Sequence, residues 1–322
     1  MKHPDICQKN QEGLAMAEFI EQLMFALMLT GTYTLISVGF TLFFGAIKIV
    51  HFSHGDVAIL GAFFGIIIYG VFGLTGMFSG IPSWVVTPIV FVVTCLLIGF
   101  LGTFFERTVI KPFRKSPLLM VLVATIALGI VIREAVRLFY PQGSNPQVFP
   151  KLLPQTTYGV GHLVLRLDHI LIFLISVLLI VVMFALINKT RIGMAIRAVS
   201  QDIEAANLMG INSDIVIAVT FMIGSILAGL AGLLIGSYQT LVRFDMGLML
   251  GIKGFSAAVV GGLGSIYGAI VGSIVLGFVE SFVCAYVPGG TPYKDVFAFV
   301  IVIFFLVFKP SGILGKTVPV KI

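Results

Sequence analysis

Eight long apolar segments, separated by polar connections, make up most of the chain. They lie at residues 23–44, 57–74, 84–105, 118–140, 169–187, 214–238, 255–287 and 295–308. A helix needs about 20 apolar residues to cross the hydrocarbon core of a bilayer. Helices satisfy their own backbone hydrogen bonds in lipid, and the segments lack the alternating pattern of a membrane β-barrel. The pattern therefore predicts an all-α polytopic membrane protein with about eight or nine transmembrane helices.

Composition supports this class. Of the 322 residues, 58% are hydrophobic and 11% are charged, whereas soluble domains carry roughly 25% charged residues. The net charge of +6 is better explained by the charge bias of membrane topology than by nucleic-acid binding. Three cysteines, Cys7, Cys95 and Cys284, lie too far apart in sequence for a disulfide framework or a metal set. We expect one transmembrane domain over 23–308.

Basic residues indicate which connections are cytoplasmic. Ten of the 20 Lys and Arg residues fall in three places: Arg107, Lys111, Arg114 and Lys115; Lys189, Arg191 and Arg197; and Lys309, Lys316 and Lys321. Such residues concentrate on the cytoplasmic side of membrane proteins. The connection 188–213 and the tail 309–322 are therefore expected inside, and the Pro- and Gly-rich connection 141–168 outside. The polar segment 1–22 lacks the apolar core of a cleavable signal, and its side stays open.

The long apolar stretch 255–287 needs a special arrangement. If both 188–213 and the tail are inside, this stretch crosses the membrane either zero or two times. It is too long for one comfortable helix and carries GGLGSIYGAIVGS in its middle. Irregular backbone at membrane depth is tolerated where protein or a water-filled cavity covers it. We expect a Gly-rich re-entrant or broken hairpin.

Two sets of glycines recur every four residues. The sets are Gly264, Gly268 and Gly272, and Gly232 and Gly236. This spacing puts glycines on one helix face, where another backbone can approach closely. Ordinary helix packing and a seam beside a translocation path are both compatible with it.

A short helix is predicted inside the basic connection 188–213. Ser200 is a suitable N-cap, acidic residues Asp202 and Glu204 favour the positive helix end, and Gly210 suits the position after the last turn. The helix would have about nine residues, which is marginal in water without support. It either packs on its own bundle or forms a knob that docks into a groove on a cytoplasmic partner.

The polar stretch HFSHGD, residues 51–56, interrupts two apolar segments. His51, His54 and Asp56 could bind a metal or relay protons. The favoured interpretation is a polar helix break at Gly55, with or without a role in lining a solute path.

Other charges fall within the spans. Glu280 and the group Arg133, Glu134 and Arg137 need pairing or water, because an unpaired charge at the bilayer centre costs about 3 kcal/mol or more. The arginines lie near a span end and could snorkel. The sequence lacks a Walker A loop, GxSxG and HExxH, so we expect neither ATP hydrolysis nor another enzymatic activity from this chain.

Five motifs in order resemble the LivH-like permeases of branched-chain amino-acid ABC importers. They are HFSHGD; RTVIKPFRKSP; RIGMAIRAVSQDIEAANLMGIN; GIKGFSAAVVGGLGSIYGAIVG; and YKDVFAFVIVIFFLVFKPSGILGK. The resemblance runs from about Tyr33 to Lys316. The first motif departs from the family's Asn-Phe-Ala-His-Gly-Glu at His51, Ser53 and Asp56, so solute selectivity does not carry over. A related urea importer has a similar block.

The resemblance implies that the Glu-Ala-Ala helix couples the permease to an ATPase. The coupling residues would be Glu204, Ala205, Ala206 and Gly210, flanked by Arg191, Arg197 and Asp202. The implied partners are a second homologous permease, two ATP-binding subunits and an extracytoplasmic solute-binding protein, in the bacterial inner membrane. The chain itself would need no cofactor, since the partners bind ATP.

A solute path is expected along the first span, the HFSHGD break and the Gly-rich hairpin. Polar groups that could meet a zwitterionic amino acid are Ser53, His54, Gly55, Asp56 and Ser256, together with backbone amides of the hairpin. The alternative is an ion-coupled secondary transporter that acts alone and uses Glu280 or the His/Asp cluster. The exact solute and the pairing of permeases, homodimer or heterodimer, stay open.

Overall fold

The computed structural model describes residues 4–74, 83–114, 116–161 and 163–315. Its α-helices are α1 (Pro4–Ile47), α2 (His54–Leu74), α3 (Ser83–Phe105), α4 (Lys111–Phe113), α5 (Leu118–Phe139), α6 (Leu167–Lys189), α7 (Arg191–Gln201), α8 (Ile203–Leu208), α9 (Ser213–Gln239), α10 (Met246–Gly261), α11 (Ile266–Tyr286) and α12 (Lys294–Phe308). A π-helical turn, Glu106–Ile110, joins α3 to α4, and a 3₁₀ turn, Thr291–Tyr293, precedes α12.

Eight helices within the described ranges are long and apolar enough to cross a membrane. They correspond to the predicted segments, and α10 adds a shorter apolar helix of 16 residues. The predicted all-α polytopic fold is therefore confirmed.

Within the described residues, four short strands lie at one end of the bundle. They are β1 (Gln147–Val148), β2 (Thr157–Val160), β3 (Leu163–Arg166) and β4 (Leu241–Val242). Strands β2 and β3 form an antiparallel hairpin, while β1 pairs with β4. The second pairing ties the connection after α5 to the connection between α9 and α10.

The direction of α1 follows from its neighbours. Phe25 contacts His169, and Gly31 lies against Ser176, so α1 runs parallel to α6. Helix α6 ends at Lys189 in the basic connection expected inside. With that connection inside, the N-terminal end of α1 would lie on the outer side.

Helices α1 and α9 form the centre of the bundle. Within their apolar windows, 78% of α1 and 72% of α9 is buried, against 11% of α12. Small residues permit the close approach of neighbouring helices: Gly232 of α9 lies against the backbone carbonyl of Ala58 in α2. Gly236 instead faces the ring of Phe149, which follows β1.

Helices α10 and α11 form the broken hairpin that the stretch 255–287 suggested. The hairpin begins earlier, at Met246, and turns through 262–265. The tail after α12 donates hydrogen bonds to the end of α10, from Ile313 N to Val260 O (2.8 Å). Because α12 ends in the basic tail, this contact places the turn on the inner side.

The glycines of the hairpin divide into two roles. Gly268 and Gly272 face the α10 backbone at Gly261 and Ala257, so α10 and α11 touch without intervening side chains. Gly264 lies before α11, in the turn, with a φ of +89°. The expectation that it shares a helix face with the other two is wrong, because its backbone reverses the chain.

Candidate transport cavity and cytoplasmic coupling element

A cavity of ≈ 200 Å³ lies between the outer halves of the central helices. Its apolar wall comes mainly from α1, α9 and α10 and includes Phe25, Met28, Leu29, Ile59, Ile235, Met246, Met249 and Leu250. Methionine side chains are flexible and adapt to irregular apolar shapes. The wall therefore suits a small, branched apolar group.

A cluster of charges closes one side of this cavity. It consists of Lys253 (α10), Glu280 (α11), and Lys294 and Asp295 (α12), with Tyr33 (α1) beside them. We call these four charged residues the tetrad. Two positive and two negative side chains balance each other, as burial inside a membrane protein requires.

The tetrad is tightly connected. Lys253 Nζ lies 2.9 Å from each carboxylate oxygen of Glu280 and 2.6 Å from Asp295 Oδ1. Tyr33 donates a hydrogen bond to Glu280 Oε2 at 2.6 Å. Lys294 Nζ lies 3.0 Å from Glu280 Oε1. Four helices thus meet at Glu280, whose side chain is 2% exposed.

The cavity continues toward the outer side. A wider depression of ≈ 530 Å³ shares Tyr238, Gln239, Met246 and Lys294 with it. Arg166 and Arg243 also line this vestibule. Because α9 ends and α12 begins there, the cavity opens at the end of the bundle opposite the connection 188–213, which is the end expected outside.

The HFSHGD residues lie elsewhere, in a packed break between α1 and α2. Ser53 and His54 are fully buried, and His54 Nε2 lies 3.2 Å from the carbonyl oxygen of Ile36. Gly55 packs directly on the α10 backbone at Gly247 and Gly251. The residues that line the cavity include neither this group nor Ser256, which is buried in α10.

Asp56 has a partner that sequence reasoning did not assign. Its Oδ1 lies 3.2 Å from Nε of Arg133 on α5. Arg133 therefore points inward to this carboxylate, while the neighbouring Glu134 and Arg137 pair with each other at 2.6 Å. Within the described residues, no group of three or more His, Cys, Asp and Glu side chains could hold a metal ion.

The predicted coupling helix differs in its boundaries. Residues 191–208 form two helices, α7 and α8, and α8 has six residues instead of about nine. Its N-cap is Asp202, not Ser200: the Asp202 carboxylate accepts hydrogen bonds from Glu204 N (2.8 Å) and Ala205 N (2.9 Å). A carboxylate caps better than a hydroxyl already inside a helix, and Ser200 donates back to Arg197 O.

Helix α8 presents one face to the bundle and another to solvent. Ala206 is 4% exposed, whereas Leu208 and Met209 are 88% and 82% exposed. Glu204 and Ala205 are also exposed. Gly210 has a φ of +83° and ends the helix, as its position in the sequence suggested.

The two arginines that precede α8 in the sequence differ in their exposure and contacts. Arg191 is the first residue of α7 and is exposed. Arg197 donates a hydrogen bond to the carbonyl oxygen of Ile187, which fixes α7 to the end of α6. Helix α7 is thus attached to the bundle.

A small core connects α8 to the HFSHGD break. It contains Ala206, Val199, Ile217, Phe221, Phe43 and Ile110. The ring of Phe43 stacks on Phe221 and lies edge-on to His51 and His54 at 5.3 and 4.9 Å. A continuous set of buried side chains therefore connects α8 to the break.

The fold and the outward-facing charged cavity define a multi-pass membrane transport protein. A family model described as "Branched-chain amino acid transport system / permease component" matches residues 22–306. The chain belongs to this family.

Curated relatives agree with the family model. The chain is 34% identical to the high-affinity branched-chain amino acid transport system permease protein BraD of Pseudomonas aeruginosa, covering 92% of this chain and 96% of that one. It is 33% identical to LivH of Escherichia coli K12 over the same shares. A probable LivH of Methanocaldococcus jannaschii is 26% identical over 90% of both chains. No solved structure matches.

Proposed function

We propose that the chain is the permease subunit of an ATP-driven importer in the plasma membrane, the inner membrane in bacteria, and that it moves branched-chain or similarly hydrophobic amino acids inward. The outward-facing cavity carries this proposal, because it joins an adaptable apolar wall to a neutral set of charges. The names of the relatives, which specify branched-chain amino acids, support the substrate class.

The motor would be a pair of separate ATP-binding subunits. Leu208 and Met209 project from the cytoplasmic side of the bundle with most of their surface exposed. Exposed apolar side chains on a short helix suit a groove in a partner protein. ATP would bind to those subunits, so this chain would carry no cofactor and catalyse no reaction.

The proposal includes two further kinds of partner. A second homologous permease would complete the membrane unit, and an extracytoplasmic binding protein would deliver the solute above the vestibule. The exposed faces of α6 and α12 are available for the first contact, or for lipid.

Uptake by the reconstituted importer tests the proposal. Proteoliposomes containing this chain, its sister permease, both ATPases and the binding protein should accumulate labelled leucine only with ATP. Liposomes with this chain alone should show no uptake driven by a proton or sodium gradient. Gradient-driven uptake by the chain alone would contradict the proposal and favour a secondary transporter; inhibition by urea but not by valine would favour an amide importer.

A further inference from the structure

The tetrad has more hydrogen-bond acceptors than its buried lysine can satisfy. An ammonium group donates three hydrogen bonds. Lys253 Nζ, however, lies within 3.3 Å of four oxygens: both of Glu280, one of Asp295 and the hydroxyl of Tyr33. Asp295 Oδ1 pairs with Lys253 at 2.6 Å, and the Asp295 side chain is 32% exposed. An ionised carboxylate has about four acceptor positions on its two oxygens, so this single contact does not exhaust it. A second cation could therefore bind at Asp295.

Lys294 provides a positive charge next to Asp295. Among the described residues its ammonium lies 3.0 Å from Glu280 Oε1. An ammonium group donates three hydrogen bonds, and Lys294 lines the cavity, so it can also bind an anionic group there. Lys294 and Asp295 are also the two less buried members, with side chains 38% and 32% exposed, against 7% and 2% for Lys253 and Glu280. We call Lys294 and Asp295 the outer pair, because they face the route by which a solute would enter.

Burial alone does not explain such a cluster. Removing buried ion pairs in favour of apolar residues is often neutral or stabilising, and ionisable groups inside membrane proteins mark solute pathways more often than they stabilise folds. The tetrad lies beside a cavity of ≈ 200 Å³ whose other walls are apolar. The arrangement offers a cation site, an anion site and an apolar surface within one enclosure.

We propose that Lys294 and Asp295 form the binding site for the zwitterionic head group of the transported amino acid. Asp295 receives the α-ammonium, Lys294 receives the α-carboxylate, and the side chain lies against Met28, Leu29 and Met249. A zwitterion adds no net charge, so the site stays neutral when it is occupied. The buried pair Lys253–Glu280 holds the outer pair in position and does not contact the solute. This inference rests on the proposed function and names the head-group site within it.

Removing both charges of the outer pair tests this proposal. The variant Lys294→Gln/Asp295→Asn keeps size and shape but removes both charges. In the full reconstituted importer we expect leucine uptake to fall about tenfold or more, since both charge-assisted contacts with the head group are lost. The yield of assembled complex should stay at the wild-type level.

Two further variants separate recognition from structure. The conservative variant Lys294→Arg/Asp295→Glu should retain at least about half of the uptake, because both charges persist. The matched control Glu134→Gln/Arg137→Gln removes an ion pair on α5 whose side chains are 42% and 44% exposed. This variant should transport like the wild type.

Three outcomes would overturn the inference: uptake by the neutral variant within about twofold of the wild type, equal loss in the conservative variant, or a parallel loss of assembled complex. Absence of ATP-dependent uptake by the wild-type importer would instead contradict the proposed function. The two failures are therefore distinguishable.

Discussion

The rings of Phe43 and Phe221 stack with their centroids 4.4 Å apart and an interplanar angle of 20°. Phe43 belongs to α1, which lines the cavity, and Phe221 belongs to α9, which follows the coupling element directly. Both are fully buried or nearly so. The pair joins the small core under α8 to the histidines of the HFSHGD break.

Trimming this contact should uncouple transport from ATP hydrolysis. Phe43→Leu removes the stacked ring, at a cost of about 1–1.5 kcal/mol, while the core remains apolar. We expect the ratio of leucine transported to ATP hydrolysed to fall about threefold or more, with unchanged assembly. The control Phe104→Leu changes a ring that is 49% exposed on α3. An unchanged ratio in Phe43→Leu would show that the ring pair transmits nothing.

The exposed tip of α8 should be required for binding the ATPase subunits. Leu208→Glu replaces a side chain that is 88% exposed, so folding should tolerate it. Placing a charge in an apolar groove should weaken docking by about 2 kcal/mol or more. Co-purification of tagged permease with its ATPases measures the effect, and Val148→Glu, on the outer side, is the control. Full recovery of ATPases with Leu208→Glu would place the docking surface elsewhere.

Gly210 should tolerate no β-branched residue. Its φ of +83° lies in the left-handed region, where valine costs about 1–3 kcal/mol. Open space surrounds the position, so Gly210→Val should disturb the end of α8 without a steric clash in the bundle. We expect normal amounts of membrane protein but uncoupled ATP hydrolysis and impaired uptake. The control is Gly70→Ala, a helical glycine that also has open space; normal uptake in Gly210→Val would argue against a coupling role.

Gly268 should be needed for the hairpin itself. A side chain there would collide with the carbonyl group of Gly261 across the α10–α11 contact. Gly268→Leu should force the backbones apart and reduce the folded complex, measured by size-exclusion chromatography, about fivefold or more. Gly45→Leu, at a position with nothing nearby, serves as the control. Equal yields of the two variants would mean that the close contact is dispensable.

The sequence predicted the spans, the broken hairpin and the cytoplasmic element, because these depend on local hydrophobicity, charge bias and capping. It did not predict the cavity or its tetrad. Lys253, Lys294 and Asp295 lie at the ends or middle of apolar segments, and only packing of α10 and α12 around Glu280 brings them together. Glu280 was the signal in the sequence, because a single carboxylate within a span needs a positively charged partner. The spacing of residues along the chain did not identify Lys253 as that partner.

The N-cap of α8 is a second feature that the sequence alone did not predict correctly. Ser200 and Asp202 are both acceptable N-caps by residue type, and only the extended backbone at Asp202, between two helices, decides in its favour. The solute-path residues Ser53, His54, Gly55, Asp56 and Ser256 stay a prediction: they lie in packed regions and do not line the cavity.

Protection of a cavity residue from alkylation tests the central claim most directly. In an importer whose native cysteines are replaced by serine, Met249→Cys would be treated with a charged thiol reagent from outside, with and without saturating leucine. The account predicts that leucine slows labelling about tenfold, while Val148→Cys, on the outer strand, is labelled at the same rate in both conditions. Equal labelling of Met249→Cys with and without leucine, in an importer that still transports leucine, would contradict the claim that the solute occupies this cavity.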